Sequence, residues 1–366
     1  MLIRVQDDNR RSGDSASQAT ESTVLRAGHQ LLPAIAAILV LIVAIPCAAR
    51  SRRKDHPPKT IKKATPMLWS NPRDIASRDL FYGSGGEANA PHSTYTFIRE
   101  DLNGTNPKFV VRDENGVEWK VKLGPEAKPE TVASRLLWAV GYFTNEDYFL
   151  EDFRVANMQP LTRGQNLIAP DGSMHNVRLK RSVKGVHKIG DWQWRDNPFY
   201  GAREFNGLRV MMALLNNWDL KNENNSIYEE HAKGAHPVLH YVVSDLGASF
   251  GTTGLSFPDS RSKGNLSAYS QSKFIKAVHG QYVDFNFPTR PNLFHLVNPK
   301  EFDMRMHLRW IGQDIPRADA HWIGQLLSQL SEDQIRQAFR AAGYSPREVE
   351  DFTNVVEKRI KELNQL

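Results

Sequence analysis

Asn216-Asn217-Trp218-Asp219-Leu220-Lys221-Asn222-Glu223-Asn224-Asn225, followed one hairpin later by Ser244-Asp245-Leu246-Gly247, is the stretch on which the reading of this chain turns. An aspartate, a lysine two places on, an asparagine three further and a second aspartate ahead of a glycine form the residue set that phosphoryl transfer from Mg-ATP requires. Residues 202–215 (AREFNGLRVMMALL) are apolar at helical spacing and predict a buried helix delivering the first motif into a cleft. Tyr241-Val242-Val243 runs directly into the second motif, which puts Asp245 at the end of a strand. The same hexamer in a surface loop would only cap turns, with Lys221 solvated, so the order of the surrounding elements has to separate the two readings.

Upstream, residues 94–99 (TYTFIR) alternate and favour a strand, 101–107 supply turn residues, and 108–112 (KFVVR) make a second strand. An Asn-Gly hairpin turn at Asp113-Glu114-Asn115-Gly116 leads to a third, residues 117–123 (VEWKVKL). On that third strand Trp119, Val121 and Leu123 share one face, and Lys120 and Lys122 the other, because side chains alternate. Residues 129–141 (PETVASRLLWAVG) predict a helix with Pro129 at its first position and Glu130 in its first turn. There Glu130 either serves the helix dipole alone or pairs with a strand lysine. Further strands are expected at 148–155 and 175–181, and a hairpin from Ile227-Tyr228 and 238–243.

Asp219-Leu220-Lys221-Asn222-Glu223-Asn224 resembles the Asp-Leu-Lys-x-Glu-Asn catalytic loop of protein kinases, and Asp245-Leu246-Gly247 resembles their metal-binding Asp-Phe-Gly. Strand lysine, helix glutamate, loop and second aspartate also come in the family's order. The resemblance implies an α+β, two-lobed protein-kinase-like fold with a β-rich N-lobe at 79–185 and a helical C-lobe at 186–366. It implies ATP and Mg as cofactors. Asp219 would orient the attacking hydroxyl, Lys221 would neutralise phosphoryl charge, and Asn224 and Asp245 would hold Mg ions. Lys122 would contact the phosphates and pair with Glu130, with Lys120 as the alternative, and Asn103-Gly104-Thr105 would form the covering loop. Asn217-Trp218 replaces the usual His-Arg, no Gly-x-Gly-x-x-Gly is present, and no Ala-Pro-Glu follows Gly247. These departures resemble the atypical branches: HipA-like, CotH-like, lipid-kinase-like and secretory-pathway kinases. Phosphorylation of an unknown hydroxyl substrate, adenylylation, and a catalytically inactive nucleotide- or partner-binding module all remain open.

At 366 residues, 40% hydrophobic and 24% charged, the chain can bury a substantial core. Its formal charge of +6 attracts anions without selecting nucleic acid or any other. The single cysteine, Cys47, excludes an intrachain disulfide, a Cys-rich zinc site and a cysteine nucleophile in the globular part. Residues 1–30 have the composition of a disordered segment. Residues 31–49 (LLPAIAAILVLIVAIPCAA) are uncharged and about long enough to span a bilayer, as a transmembrane anchor or as a signal peptide. Arg50, Arg52, Arg53 and Lys54 beside an anchor would place the C-terminal part in the cytoplasm; a cleaved signal would export it. Residues 50–78 read as a basic, Pro-containing linker. Residues 252–267 read as a mobile segment or a plain surface loop. Helices are expected at 302–310 and 318–330, and Ser331-Glu332-Asp333-Gln334 and Ser345-Pro346-Arg347-Glu348 are capping boxes opening two more. His307 and His321 lack the spacing of a zinc helix.

Overall fold

The computed structural model describes residues 64–92, 94–104, 106–231, 236–252, 262–287 and 294–366. The expectations for 1–30, 31–49 and 50–63 lie outside those residues, as do Thr105 and residues 253–261. Among the described residues no helix is long and apolar enough to cross a membrane. Ordered structure is present within the stretch read as linker: β1 (Thr65–Met67) pairs in parallel with a strand far along the chain, and Leu68 and Ile75 are buried.

Strands β2 (Tyr95–Glu100), β3 (Lys108–Asp113) and β4 (Glu118–Lys122) form the expected meander, followed by helix α1 (Ala127–Ala139). β5 (Asp147–Arg154) and β6 (Ser173–Arg181) complete a five-stranded sheet of order β2-β3-β4-β6-β5. The alternation seen in the sequence decides its two faces. Phe109, Val111, Trp119, Val121, Val177 and Leu179 enter one apolar cluster, each contributing roughly 1.5–3 kcal/mol on full burial. In register on the other face, Lys120 lies opposite Lys180, and Lys122 opposite Lys108 and Arg178.

Helix α1 starts at Ala127, so Pro129 is its third residue and not its first. The amides of a helix's first turn have no intrahelical acceptor, so the proline costs no hydrogen bond there either. α1 packs on β5, β6 and a C-terminal helix, and its Val132, Ala133, Leu136 and Leu137 belong to the larger of two apolar clusters.

The part read as a helical lobe carries more strand than expected. β7 (Val186–Gly190) precedes α2 (Arg203–Leu214), after which β8 (Asn225–Glu230) and β9 (Val238–Val243) form a hairpin. These strands and β1 make a sheet of order β1-β9-β8-β7. Then come α3 (Leu266–Gln271), β10 (Ile275–His279), β11 (Tyr282–Phe285), α4 (Phe294–Val297), α5 (Pro299–His307) and β12 (Ile315–Pro316). β10, β11 and β12 form a small third sheet. The chain closes with α6 (Arg317–Leu327), α7 (Glu332–Arg340) and α8 (Pro346–Asn364). Both serine capping boxes are present, the Ser331 and Ser345 hydroxyls each accepting the backbone N–H three residues on.

Candidate functional site

The loop after α2 is held by its ends. Asn216 adopts a left-handed backbone with φ of 52° and donates its amide to the Gly251 carbonyl at 3.0 Å. Buried Arg359 of α8 donates to the Leu214 carbonyl at 2.8 Å and to Asn216 Oδ1 at 3.2 Å, closing the C-terminal end of α2. An orphan carbonyl at a helix end is thereby satisfied by a cation, which the helix dipole also favours. Trp218 N–H donates to the Ala248 carbonyl and Phe250 N–H to the Leu215 carbonyl, so the loop and the segment after Asp245 run side by side.

Within the loop, Asn217 Oδ1 accepts the Asp219 N–H at 3.1 Å, and Asn224 Nδ2 donates to the Asp219 carbonyl at 2.6 Å. The Asn224 carbonyl in turn accepts the Ser244 and Asp245 N–H groups at 2.8 and 3.2 Å. The two motifs are thus joined backbone to backbone. The Asp219 carboxylate lies 3.4 Å from Lys221 Nζ and 3.3 Å from Arg305 Nη2.

Lys122 is the hub on the opposite side. Its ammonium, almost fully buried, contacts Glu130 Oε2 at 2.7 Å, Glu126 Oε2 at 2.9 Å and Asp245 Oδ1 at 3.1 Å. Burial works against its charge, but the Asp245, Glu130 and Glu126 carboxylates prevail and raise it above the usual lysine range. Burial also opposes the charge of Glu126, yet Lys122 and Lys263 (Nζ at 2.5 Å) hold that carboxyl well below its ordinary value. Glu130 is pushed upward by burial, against the pull of Arg178, 3.0 Å away, and of Lys122. Arg178 reaches on to Asp147 at 3.4 Å.

The sequence-named residues other than Thr105 have these places. Lys122, Glu130 and Asp245 meet directly, and Asn224 and Asp219 join them through Asp245's backbone. Lys120 is the member that stands apart, 2.7 Å from Asp101. Burial opposes ionisation of Asp101, but the Lys120 ammonium and Asn103 hold its carboxyl down at about 2. Of the two lysines Lys122 is the one in the cluster, because Glu126, just ahead of α1, and Glu130, in its first turn, reach that register and not the next. Gly104 has a φ of 68° in the β2–β3 loop, but the loop residue that reaches the cluster is Asn106, whose Nδ2 donates to Glu126 Oε2 at 2.6 Å. Gly247 earns its place by proximity: a Cβ there would lie 2.5 Å from Glu126 Cβ.

Glu126, Arg178, Lys263, Asn106 and Arg305 were not found from sequence. Only Arg178 had a usable signal, since alternation along 175–181 sets it opposite Val177 and Leu179, on the face shared with Lys122. Glu126, Glu130 and Asp245 present carboxylate oxygens within 4.8 Å of one another. Such an all-oxygen donor set suits a hard divalent cation.

No family description and no curated protein matches the chain. Among solved structures it is similar to the Helicobacter pylori proinflammatory kinase CtkA, with 11% identity, 75% of this chain and 98% of that one covered, and a TM-score of 0.42. It is also similar to the golgi casein kinase, with 10% identity, 81% and 79% covered, and a TM-score of 0.29.

Proposed function

We propose that this chain has a protein-kinase-like fold and is an atypical phosphotransferase that uses Mg-ATP to modify a hydroxyl group on a protein, lipid or small-molecule substrate. One observation carries the reading. Lys122 of the third sheet strand, Glu130 of the next helix and Asp245, distant in sequence, share a single ion cluster that Asn224 links to Asp219, its carbonyl accepting from the Asp245 N–H and its side-chain amide donating to the Asp219 carbonyl. A strand lysine paired with a helix glutamate, beside a metal-type aspartate, is the arrangement that phosphoryl transfer uses.

Asp245 and Asn224 fit Mg by donor type, and the bound cation would supply charge neutralisation for the phosphates. Lys122, fixed by Glu130, binds and orients the phosphate chain. Lys221 offsets charge on the transferred group, and Asp219 positions the attacking hydroxyl and accepts its proton. Asn106 and the β2–β3 loop close over the phosphate side. Attachment to a membrane through 31–49 belongs to the proposal on sequence grounds alone.

A second reading, a nucleotide- or partner-binding module without turnover, is favoured by the crowding of Lys122: three carboxylates already occupy it. Thermal shift with Mg-ATP and transfer of a labelled γ-phosphate separate the two. Ligand at 100-fold its Kd adds about 2.7 kcal/mol of stability. The enzyme reading expects that shift to vanish in Asp245→Ala, and labelled product to vanish in Asp219→Ala with the shift retained. Binding with no product in wild type supports the module, and product unaffected by either substitution rejects the site.

A further inference from the structure

We infer that Arg305, on α5, is a positioning residue for Asp219 and supplies from a distant helix the guanidinium that the loop itself lacks at Trp218. The inference rests on the phosphotransfer reading only for its kinetic consequence; the geometry stands by itself.

Arg305 is 7% exposed and pinned on several sides. Its Nη1 donates to the Trp218 carbonyl at 2.8 Å, and its Nε and Nη2 donate to Glu301 Oε1 at 3.0 and 2.8 Å. Its guanidinium carbon lies 4.6 Å from the centre of the Trp218 ring. Nη2 is left 3.3 Å from Asp219 Oδ1. The other cation at that carboxylate, Lys221, is about a third exposed on a flexible stem and 3.4 Å away. Of the two, only Arg305 is rigidly placed, because a planar fork bound at several points loses little further freedom in holding a carboxylate. Asp219 Oδ1 is itself buried and, among the described residues, makes no regular hydrogen bond, so there these two cations compensate it.

The substitution of Trp for Arg before Asp219 then has a physical purpose. The indole gives Arg305 a face to stack on, and its Nε1 donates to the Ser262 carbonyl at 2.7 Å. α5, the loop and the segment returning after Gly247 are joined at one point, so the carboxylate's place is set by the C-terminal half of the chain.

The test compares the full chain with Arg305→Gln, Arg305→Lys and the charge-neutral pair Arg305→Gln/Glu301→Gln, which removes both charges of the Arg305–Glu301 ion pair should the single variant fold poorly. With labelled Mg-ATP, turnover in the Gln variants falls roughly 10- to 100-fold at unchanged KM for Mg-ATP, as expected when a reacting group is misplaced by about 1 Å, and Lys restores part of it. Turnover within twofold of wild type in the folded double variant overturns the inference. If wild type binds Mg-ATP without turning it over, the phosphotransfer reading fails on its own, and crystal structures of wild type and the double variant decide this one: an Asp219 carboxylate displaced by about 1 Å or more supports it, and an unmoved one overturns it.

Discussion

Replacing Lys122 by Met keeps most of the side-chain volume and deletes one buried charge. Three carboxylates, Glu126, Glu130 and Asp245, then keep, among the described residues, only the ion pairs of Glu126 with Lys263 and of Glu130 with Arg178. Breaking a buried pair by removing one partner costs about 3–5 kcal/mol. The cost has a ceiling, because one carboxyl can take up a proton. For a group of ordinary pKa near 4.3 that uptake costs about 1.36 kcal/mol per unit, hence about 4.4 kcal/mol at pH 7.5 and about 1.6 at pH 5.5. The expected loss is therefore about 3–4 kcal/mol at pH 7.5, shrinking to under about 2 at pH 5.5. The sign follows from proton binding. Glu130, already raised by burial, rises further without Lys122, so the folded variant holds a proton that the unfolded chain has released, and its stability drops as pH increases through that window. In wild type Glu126 works oppositely: its folded value is depressed, so its contribution is present above about 4.3 and is lost only in stronger acid. Urea unfolding of both proteins at the two pH values measures the difference. A loss under about 1 kcal/mol at pH 7.5, or an equal loss at both, would refute the buried-hub argument, whose minimum cost is set by the pair energy.

Gly247→Ala forces Glu126 away from its present place, since the new Cβ would meet Glu126 at 2.5–2.7 Å; a loss of about 1–3 kcal/mol is expected from urea denaturation. The Tyr228 phenol, despite burial, is lowered by Lys180, whose Nζ lies 2.6 Å from its hydroxyl. In Lys180→Met the phenol should ionise at higher pH, read as a delayed component in the ultraviolet tyrosinate titration. Ser331→Ala removes the cap of α7 and should cost about 1 kcal/mol in urea unfolding while leaving the Mg-ATP shift unchanged, which separates general stability from the site.

The strands of the meander were legible because alternation is local. Residues 94–99, 108–112 and 117–123 each overlap the observed strand closely, and the apolar Trp119 and Val121 face is the one that is buried. The start of α1 was misplaced because proline's preference for the first helical position is only a preference, and Ala127 and Lys128 form helix as readily. β1, in the stretch read as linker, and β12, in the part read as a helical lobe, escaped because they are three and two residues long. Segments so short carry no readable period and exist through their partners: Thr65–Met67 is a strand because Val238, Leu239 and His240 lie beside it.

The same distinction runs through the site. Asp219, Lys221, Asn224 and Asp245 sit in contiguous motifs and could be named from them, whereas Lys120 and Lys122 are equivalent by alternation, and only the docking of α1 separates them. Glu126 carries no pattern, being the residue before a helix after a Gly-Pro turn. Yet it touches Lys122, Lys263 and Asn106, three residues from different segments, and so closes the cluster that the motifs leave open. A phosphate approaching Lys122 would meet this carboxylate. Glu126→Gln removes the negative charge and keeps the shape and an acceptor for Lys122, so it weakens the ligand-free cluster while lessening repulsion of an anion. Folding stability without nucleotide should therefore fall while the Mg-ATP thermal shift grows. Should both fall together, Glu126 serves to bind the ligand or its cation and does not compete with it.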